Sequence, residues 1–137
     1  MVKNSPTPRI LVLEDEAGFQ TLLAEVFGTA GHQVELAPSA AEAWPLIQQQ
    51  EFDMLLLDYR LPGISGLEFL KQLRAAGQET PVVIMTAYAD VAVVVEAMRL
   101  GAVDFLVKPF QIEALLPLVD RCLQVKAPRT ASPQPGL

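Results

Sequence analysis

Two rhythms alternate along the chain. Short runs at 10–13, 33–36, 54–57, 82–85 and 103–107 have the length of strands, and three of them (ILVL, MLLL, VVIM) are apolar without a break. Unbroken apolar runs are expected of parallel strands covered on both faces. Between them lie longer stretches with helical spacing, at about 17–29, 39–49, 65–76, 90–100 and 111–125. Gly31, Gly77 and Gly101 stand just past the first, third and fourth of these, where helix C-termini favour glycine, and Ser39 and Ser65 are placed as N-caps. Five strands alternating with five helices predict an α/β fold: one doubly wound, five-stranded parallel sheet with helices on both faces. Pro45 and Pro117 fall inside predicted helices, so a kink or a shortened first turn is expected at each.

Organisation follows from the same pattern. Residues 1–8, polar with Pro6 and Pro8, read as a flexible leader; 9–125 form the domain; 126–137 read as a Pro-rich tail or linker. A hydrophobic fraction of 51% is enough to build a core. The net charge of −6, with no run of Lys or Arg, argues against direct binding to nucleic acid or a membrane surface. The single cysteine, Cys122, excludes an internal disulfide and fits a reducing cytoplasm, and its spacing with Leu115, Leu116 and Val119 predicts a core position. No apolar stretch resembles a signal peptide or a membrane span. His32 is expected in an exposed loop, and Trp44 half-buried beside Pro45.

In an open parallel sheet, ligands bind beyond the C-terminal strand ends. Those ends carry Glu14, Asp15 and Glu16 after the first strand, Asp58 after the third, Thr86 after the fourth, and Lys108 and Pro109 after the fifth. Taken singly, each has a plainer role as a turn former, helix cap or solvated helix start. Together, Glu14, Asp15 and Asp58 converge, and clustered carboxylates repel unless a cation intervenes. A hard divalent cation such as Mg²⁺ answers that need. Lys108 and the Thr86 hydroxyl supply a cation and a donor for phosphoryl oxygens, which makes the group suited to phosphoryl transfer.

The segments ILVLEDE (10–16), LLLDYRLPGISGLEFL (55–70), VVIMTAYAD (82–90) and EAMRLGAVDFLVKPF (96–110) resemble the response-regulator receiver domains of two-component signalling over about residues 9–125. The closest flavour is that of nitrogen-regulation-type receivers. The resemblance implies strand order 2-1-3-4-5. It implies Asp58 as phosphoacceptor, Asp15 as a Mg²⁺ ligand, Glu14 acting on the metal directly or through water, and the backbone carbonyl of Arg60 as a further ligand. It implies Thr86 as switch hydroxyl, Lys108 as phosphate-contacting lysine, Phe105 at the switch aromatic position, and a cis bond between Lys108 and Pro109. Glu14 departs from the commoner Asp by one methylene, and Phe105 has no hydroxyl. The implied partners are a sensor histidine kinase and an effector domain in cis or in trans, with control of transcription as output. The only catalysis implied is the domain's own phosphorylation and dephosphorylation.

Three alternatives fit less well. A haloacid-dehalogenase-type phosphatase needs a second Asp two residues after its nucleophile, where Arg60 stands. A flavodoxin-like FMN protein needs a phosphate-cradling loop after the first strand, where this chain has the anionic EDEAGFQ. A receiver that never takes phosphate would not be expected to keep Asp15, Asp58, Thr86 and Lys108 together. On the fourth helix, spacing puts Val91, Val94, Val95 and Met98 towards the sheet and Val93 and Leu100 outwards. An outward apolar surface beside Phe105 suggests a phosphorylation-dependent homodimer through helix four, strand five and helix five.

Overall fold

A computed structural model describes residues 7–87 and 90–131, with side chains described to residue 124. Residues 1–6 of the expected leader, Tyr88 and Ala89 of VVIMTAYAD, and residues 132–137 of the expected tail lie outside the described residues. In chain order the elements are β1 (Arg9–Leu13), α1 (Ala17–Thr29), β2 (Gln33–Ala37), α2 (Ala40–Gln49), β3 (Met54–Asp58), β4 (Arg60–Leu61), β5 (Ile64–Ser65), α3 (Gly66–Ala75), β6 (Val82–Thr86), α4 (Val91–Arg99), β7 (Asp104–Val107) and α5 (Ile112–Ala131).

The main sheet is parallel, with order β2-β1-β3-β6-β7, which among the five main strands is the expected 2-1-3-4-5. Side chains alternate across a strand. Leu11, Leu13, Leu55, Leu57, Val82 and Ile84 therefore pack on one face with α2, α3 and Ala97 of α4. Ile10, Val12, Met54, Leu56, Val83 and Met85 pack on the other with α1 and α5. Both faces are filled, which is why these strands show no polar alternation. The β4–β5 hairpin, two residues a side, was not legible in the apolar pattern.

The caps follow the sequence. Ser39 Oγ accepts the Glu42 N–H at 3.3 Å and Ser65 Oγ accepts the Glu68 N–H at 3.1 Å. Gly31, Gly77 and Gly101 have φ of 91°, 83° and 86°. Arg74, near the end of α3, ties three segments together. Its Nε donates to Leu100 O at 2.7 Å, its Nη1 to Gln78 O at 2.9 Å and Thr80 O at 3.0 Å, and its Nη2 to Gly101 O at 3.4 Å. Cys122 is buried beside Leu115 and Val119, and burial pushes its thiol up to about 12. Trp44 is half-buried against Phe69, ring centroids 5.1 Å apart.

Of the kink or shortened first turn expected at Pro45 and Pro117, shortening is not found: α2 and α5 both run through their prolines. A proline removes one hydrogen bond, and flanking contacts such as Ala43 and Ile47 in the core hold α2 on either side of the gap. Helix α5 extends to Ala131 rather than 125, because good helix formers such as Gln124, Lys126 and Ala127 continue it without an apolar stripe to mark them. His32 is half-buried rather than exposed. The turn at Gly31 folds it back, its N–H donates to Phe27 O at 2.9 Å, and its ring meets Phe27 edge-on at 6.4 Å. Helix α4 is rotated from the expected setting: Ala97 is buried and Leu100 packs on the core, while Val91, Val95 and Met98 are 75%, 50% and 46% exposed. With valines at four of its first five positions, apolar periodicity barely distinguishes one face from another, and small Ala97 permits the closest approach.

Gly66, the first residue of α3, abuts the backbone that carries Asp58. A Cβ there would lie 2.9 Å from Tyr59 Cα and 3.1 Å from Asp58 C, and nearer still to Asp58 O. All three are backbone atoms and have nowhere to go. Gly66→Ala is expected to destabilise the fold by about 2–3 kcal/mol, the upper part of the overpacking range. Urea unfolding checks this, through a lowered midpoint at an unchanged slope.

Candidate functional site

The site lies at the C-terminal edge of the sheet, where β1, β3, β6 and β7 end. Asp58 is the last residue of β3 and Thr86 the last of β6, and both are buried. Backbone bonds fix their setting: the Tyr59 N–H donates to Met85 O at 2.7 Å, the Gly66 N–H to Tyr59 O at 2.6 Å, and the Lys108 N–H to Thr86 O at 2.7 Å. Arg60 opens β4 directly after the site, and its N–H donates to Asp58 Oδ1 at 3.2 Å.

Glu14, Asp15 and Glu16 are adjacent in sequence but divide into three roles. Glu14 is 1% exposed. Its N–H donates to Ala37 O at 3.1 Å, its carbonyl accepts from Gln20 Nε2, and its Oε2 accepts the Glu16 N–H at 3.1 Å. Glu16 caps α1, its Oε1 accepting the Phe19 N–H at 2.8 Å. Asp15 lies between them and is exposed. Glutamate is not a preferred cap, so the sequence did not mark Glu16 for this, and nothing in it singled out Gln20.

Lys108 joins the two buried carboxylates. Its Nζ lies 2.9 Å from Glu14 Oε1 and 3.0 Å from Asp58 Oδ2. Below it the Phe19 ring centroid is 4.9 Å away, and Phe19 in turn meets Phe110 edge-on at 5.7 Å. Burial raises the Glu14 carboxyl above its ordinary 4.5; the Lys108 bond opposes this and the Asp58 charge adds to it. For Lys108 burial acts downward, but the bonds to Glu14 and Asp58 prevail and hold its ammonium above 10.5. An ion pair alone would lower the acid and raise the base. Glu14 moves the other way because its near-complete loss of solvent outweighs one cation shared with a second carboxylate.

Phe105 is half-buried on the face that holds α3 and α4. It pairs in register with Ile84, and Thr86 pairs with Val107, so Thr86 and Phe105 lie on the same side of the sheet, one step apart. The Lys108–Pro109 bond is cis, as expected. Glu14, Asp15 and Asp58 each offer a carboxylate oxygen within 4.8 Å of the others. An all-oxygen set of this charge fits a hard divalent cation. Among the described residues, no helix is long and apolar enough to cross a membrane.

With this geometry established, the chain compares with known proteins as follows. The family profile for the response regulator receiver domain matches residues 10–120. The regulatory protein AtoC of Escherichia coli, one of the nitrogen-regulation-type regulators among the relatives, is 37% identical over 119 residues, covering 87% of this chain and 26% of its own. Sporulation initiation phosphotransferase F of Bacillus subtilis is 34% identical over 119 residues, covering 87% of this chain and 96% of its own. The chain thus spans about a quarter of the first relative and nearly all of the second. A CheY-like receiver domain structure from Methanospirillum hungatei superposes with TM-score 0.82 at 25% identity, over 88% of this chain and 96% of that one. Sequence, fold and the ends of four strands agree, and the chain belongs to the response regulator receiver domain family.

Proposed function

We propose that Asp58 accepts a phosphoryl group from the phosphohistidine of a sensor histidine kinase, in a cytoplasmic setting. The observation that carries this is the Lys108 ammonium, 3.0 Å from Asp58 Oδ2 at a sheet edge where an exposed carboxylate, Asp15, stands open to a cation. An Asp58 oxygen attacks phosphorus, the phosphorus–nitrogen bond breaks, and the imidazole leaves with the bonding pair. Asp15, Asp58 and the Arg60 backbone carbonyl would hold Mg²⁺, with Glu14 acting directly or through water. Bound there, Mg²⁺ neutralises charge on the phosphoryl oxygens. Lys108 meets one of those oxygens and the Thr86 hydroxyl another, so catalysis is positioning and charge neutralisation.

Drawing Thr86 towards the phosphoryl group vacates space on the face it shares with Phe105. Phe105 follows by packing alone, since it has no hydroxyl to bond with. The result is a population shift between two settings of the α4–β7–α5 face, limited by the phosphoryl group's differential affinity for them. A partner reads that face: an effector domain in cis or in trans, with transcription as the regulated output. Exposed Val91, Val95 and Met98 on α4 and Val107 on β7, 41% exposed, form an apolar surface suited to a second copy.

Three outcomes test this reading. Acetyl phosphate with Mg²⁺ should add one phosphoryl group to the wild type and none to Asp58→Asn; equal mass gain in both by intact mass spectrometry would end the assignment. Asp15→Asn should weaken Mg²⁺ binding at least about tenfold, a loss of about 1.4 kcal/mol, as measured by calorimetric titration. The rotation of α4 makes Val95, rather than Val93, the residue to alter. Val95→Glu should block a phosphorylation-dependent dimer while Asp58 is still phosphorylated, and sedimentation of beryllofluoride-treated protein would show a monomer where the wild type dimerises.

A further inference from the structure

We propose that the leader, residues 1–6, docks into a cavity at the N-terminal edge of the sheet, with the Lys3 ammonium meeting Glu79 on its rim.

The cavity lies at the opposite end of the sheet from Asp58. It is enclosed by the C-terminal end of α2, the start of β3 and the segment between α3 and β6, and has a volume of about 520 Å³. Its floor is apolar, made by the buried side chains of Phe52, Leu55 and Leu73. Its rim is polar and anionic, with the Gln78 amide and the carboxylates of two exposed residues, Glu51 and Glu79. Among the described residues that line it, none is a cation. Such a cavity suits an extended segment with apolar side chains for the floor, a backbone for the amides and one positive charge for the rim.

The leader answers this description. It reads MVKNSP, two apolar residues and then Lys3, its single charged side chain. The chain enters the fold beside the cavity. The Arg9 N–H donates to Asp53 Oδ2 at 2.8 Å, the Asp53 N–H to Arg9 O at 2.8 Å and the Gln33 N–H to Pro8 O at 2.8 Å, which pins the start of β1 between β2 and β3. Thr7, next upstream, lines a smaller recess with Asp53 and Glu51, and Glu51 also lines the large cavity. The reach is sufficient. Neighbouring strands lie about 4.8 Å apart, so a cavity under β3 and β6 is about 5–10 Å across the sheet from β1. Lys3 stands four residues before Thr7, and four extended residues span about 14 Å.

Three further considerations favour this occupant. Pro6 and Pro8 bias the residues before them, Ser5 and Thr7, towards extended backbone, which lowers the ordering cost of a straight path. A tethered segment acts at an effective concentration of about millimolar, which a separate cationic partner would have to exceed. A second copy of a chain with net charge −6 is a poor source of the missing cation. An exposed ion pair contributes little alone, so Met1 and Val2 on the apolar floor carry the affinity and Lys3 sets the register. Docking covers the end of the core at Phe52 and leaves the opposite edge, with Asp58, open.

Carbodiimide coupling on the full chain tests this. The reagent activates a carboxyl, a neighbouring amine displaces it to form an amide, and the carbodiimide leaves as the urea, having taken up the water. After proteolysis, tandem mass spectrometry should find Lys3 joined to Glu79 at least about tenfold more often than to Glu35 or Glu113, exposed carboxylates elsewhere on the surface. The link should vanish in Glu79→Gln, and in Lys3→Arg, whose guanidinium keeps the charge but does not couple. In an equal mixture of unlabelled and isotopically labelled protein, each linked pair should come from one chain. Coupling spread evenly over exposed carboxylates would overturn the proposal. Linked pairs of mixed label would also overturn it, by placing a second copy in the cavity. Amide NMR gives a readout independent of coupling: Lys3→Glu should shift the Phe52 and Glu79 resonances and leave Thr86 in place. Phe52 and Glu79 resonances indifferent to Lys3→Glu would count equally against it.

Discussion

A single ammonium shared by two buried carboxylates is the constraint around which this molecule is arranged. Lys108 comes from the end of β7, Glu14 from the end of β1 and Asp58 from the end of β3, and β6 lies between β3 and β7 in the sheet. A parallel sheet brings the C-terminal ends of all its strands to one edge. Two members of the cluster, Glu14 and Lys108, bear on stability in different ranges of pH. Glu14, with its carboxyl raised above 4.5, favours the fold when protonated, so its contribution is lost as pH rises through that raised value. Lys108, raised above 10.5, works in the same sense but in a far higher window: its contribution is complete below 10.5 and lost as pH climbs through its own raised value. At neutral pH the Lys108 contribution is in full force, while burial disfavours an ionised Glu14. The hydrophobic layers on both faces of the sheet make that tolerable.

Much of this was legible in the chain, for identifiable reasons. Strands buried on both faces write themselves as unbroken apolar runs, and ILVL, MLLL and VVIM gave the three central strands to within a residue. Ser39 and Ser65 announced helix starts, and left-handed turns needed Gly31, Gly77 and Gly101. Glu14, Asp58, Thr86 and Lys108 stood out because polar groups at the ends of apolar strands are conspicuous, and the sheet brings those ends to one edge. What escaped was whatever depended on a close approach in space. Gly66 looks like a helix-start residue, and its packing against the Asp58 backbone has no signature along the chain. Gln20 and Phe19 reach the site from the first turn of α1, where they read as ordinary helical positions.

Helix α4 shows where periodicity runs out. A hydrophobic stripe fixes a helix's rotation only when the other side is polar. With Val91, Val93, Val94 and Val95 in one turn and a half, the pattern could not choose, and the choice fell to the smallest buried side chain, Ala97, and to the packing of Leu100. The valines that face outward are thus a consequence of steric fit at the opposite face.

The guanidinium of Arg74 has a mechanical consequence. Its bonds to Leu100 O and Gly101 O hold the C-terminal end of α4 to α3, and those to Gln78 O and Thr80 O hold the approach to β6. The opposite end of α4 begins at the Asp90 cap with Val91 standing in solvent. The Arg74 ties lie at the C-terminal end of α4, so a rigid rod braced there would pivot about Gly101, and its first turn would travel farther than its last. Val91, at that far end, is 75% exposed, against 46% for Met98 nearer the brace.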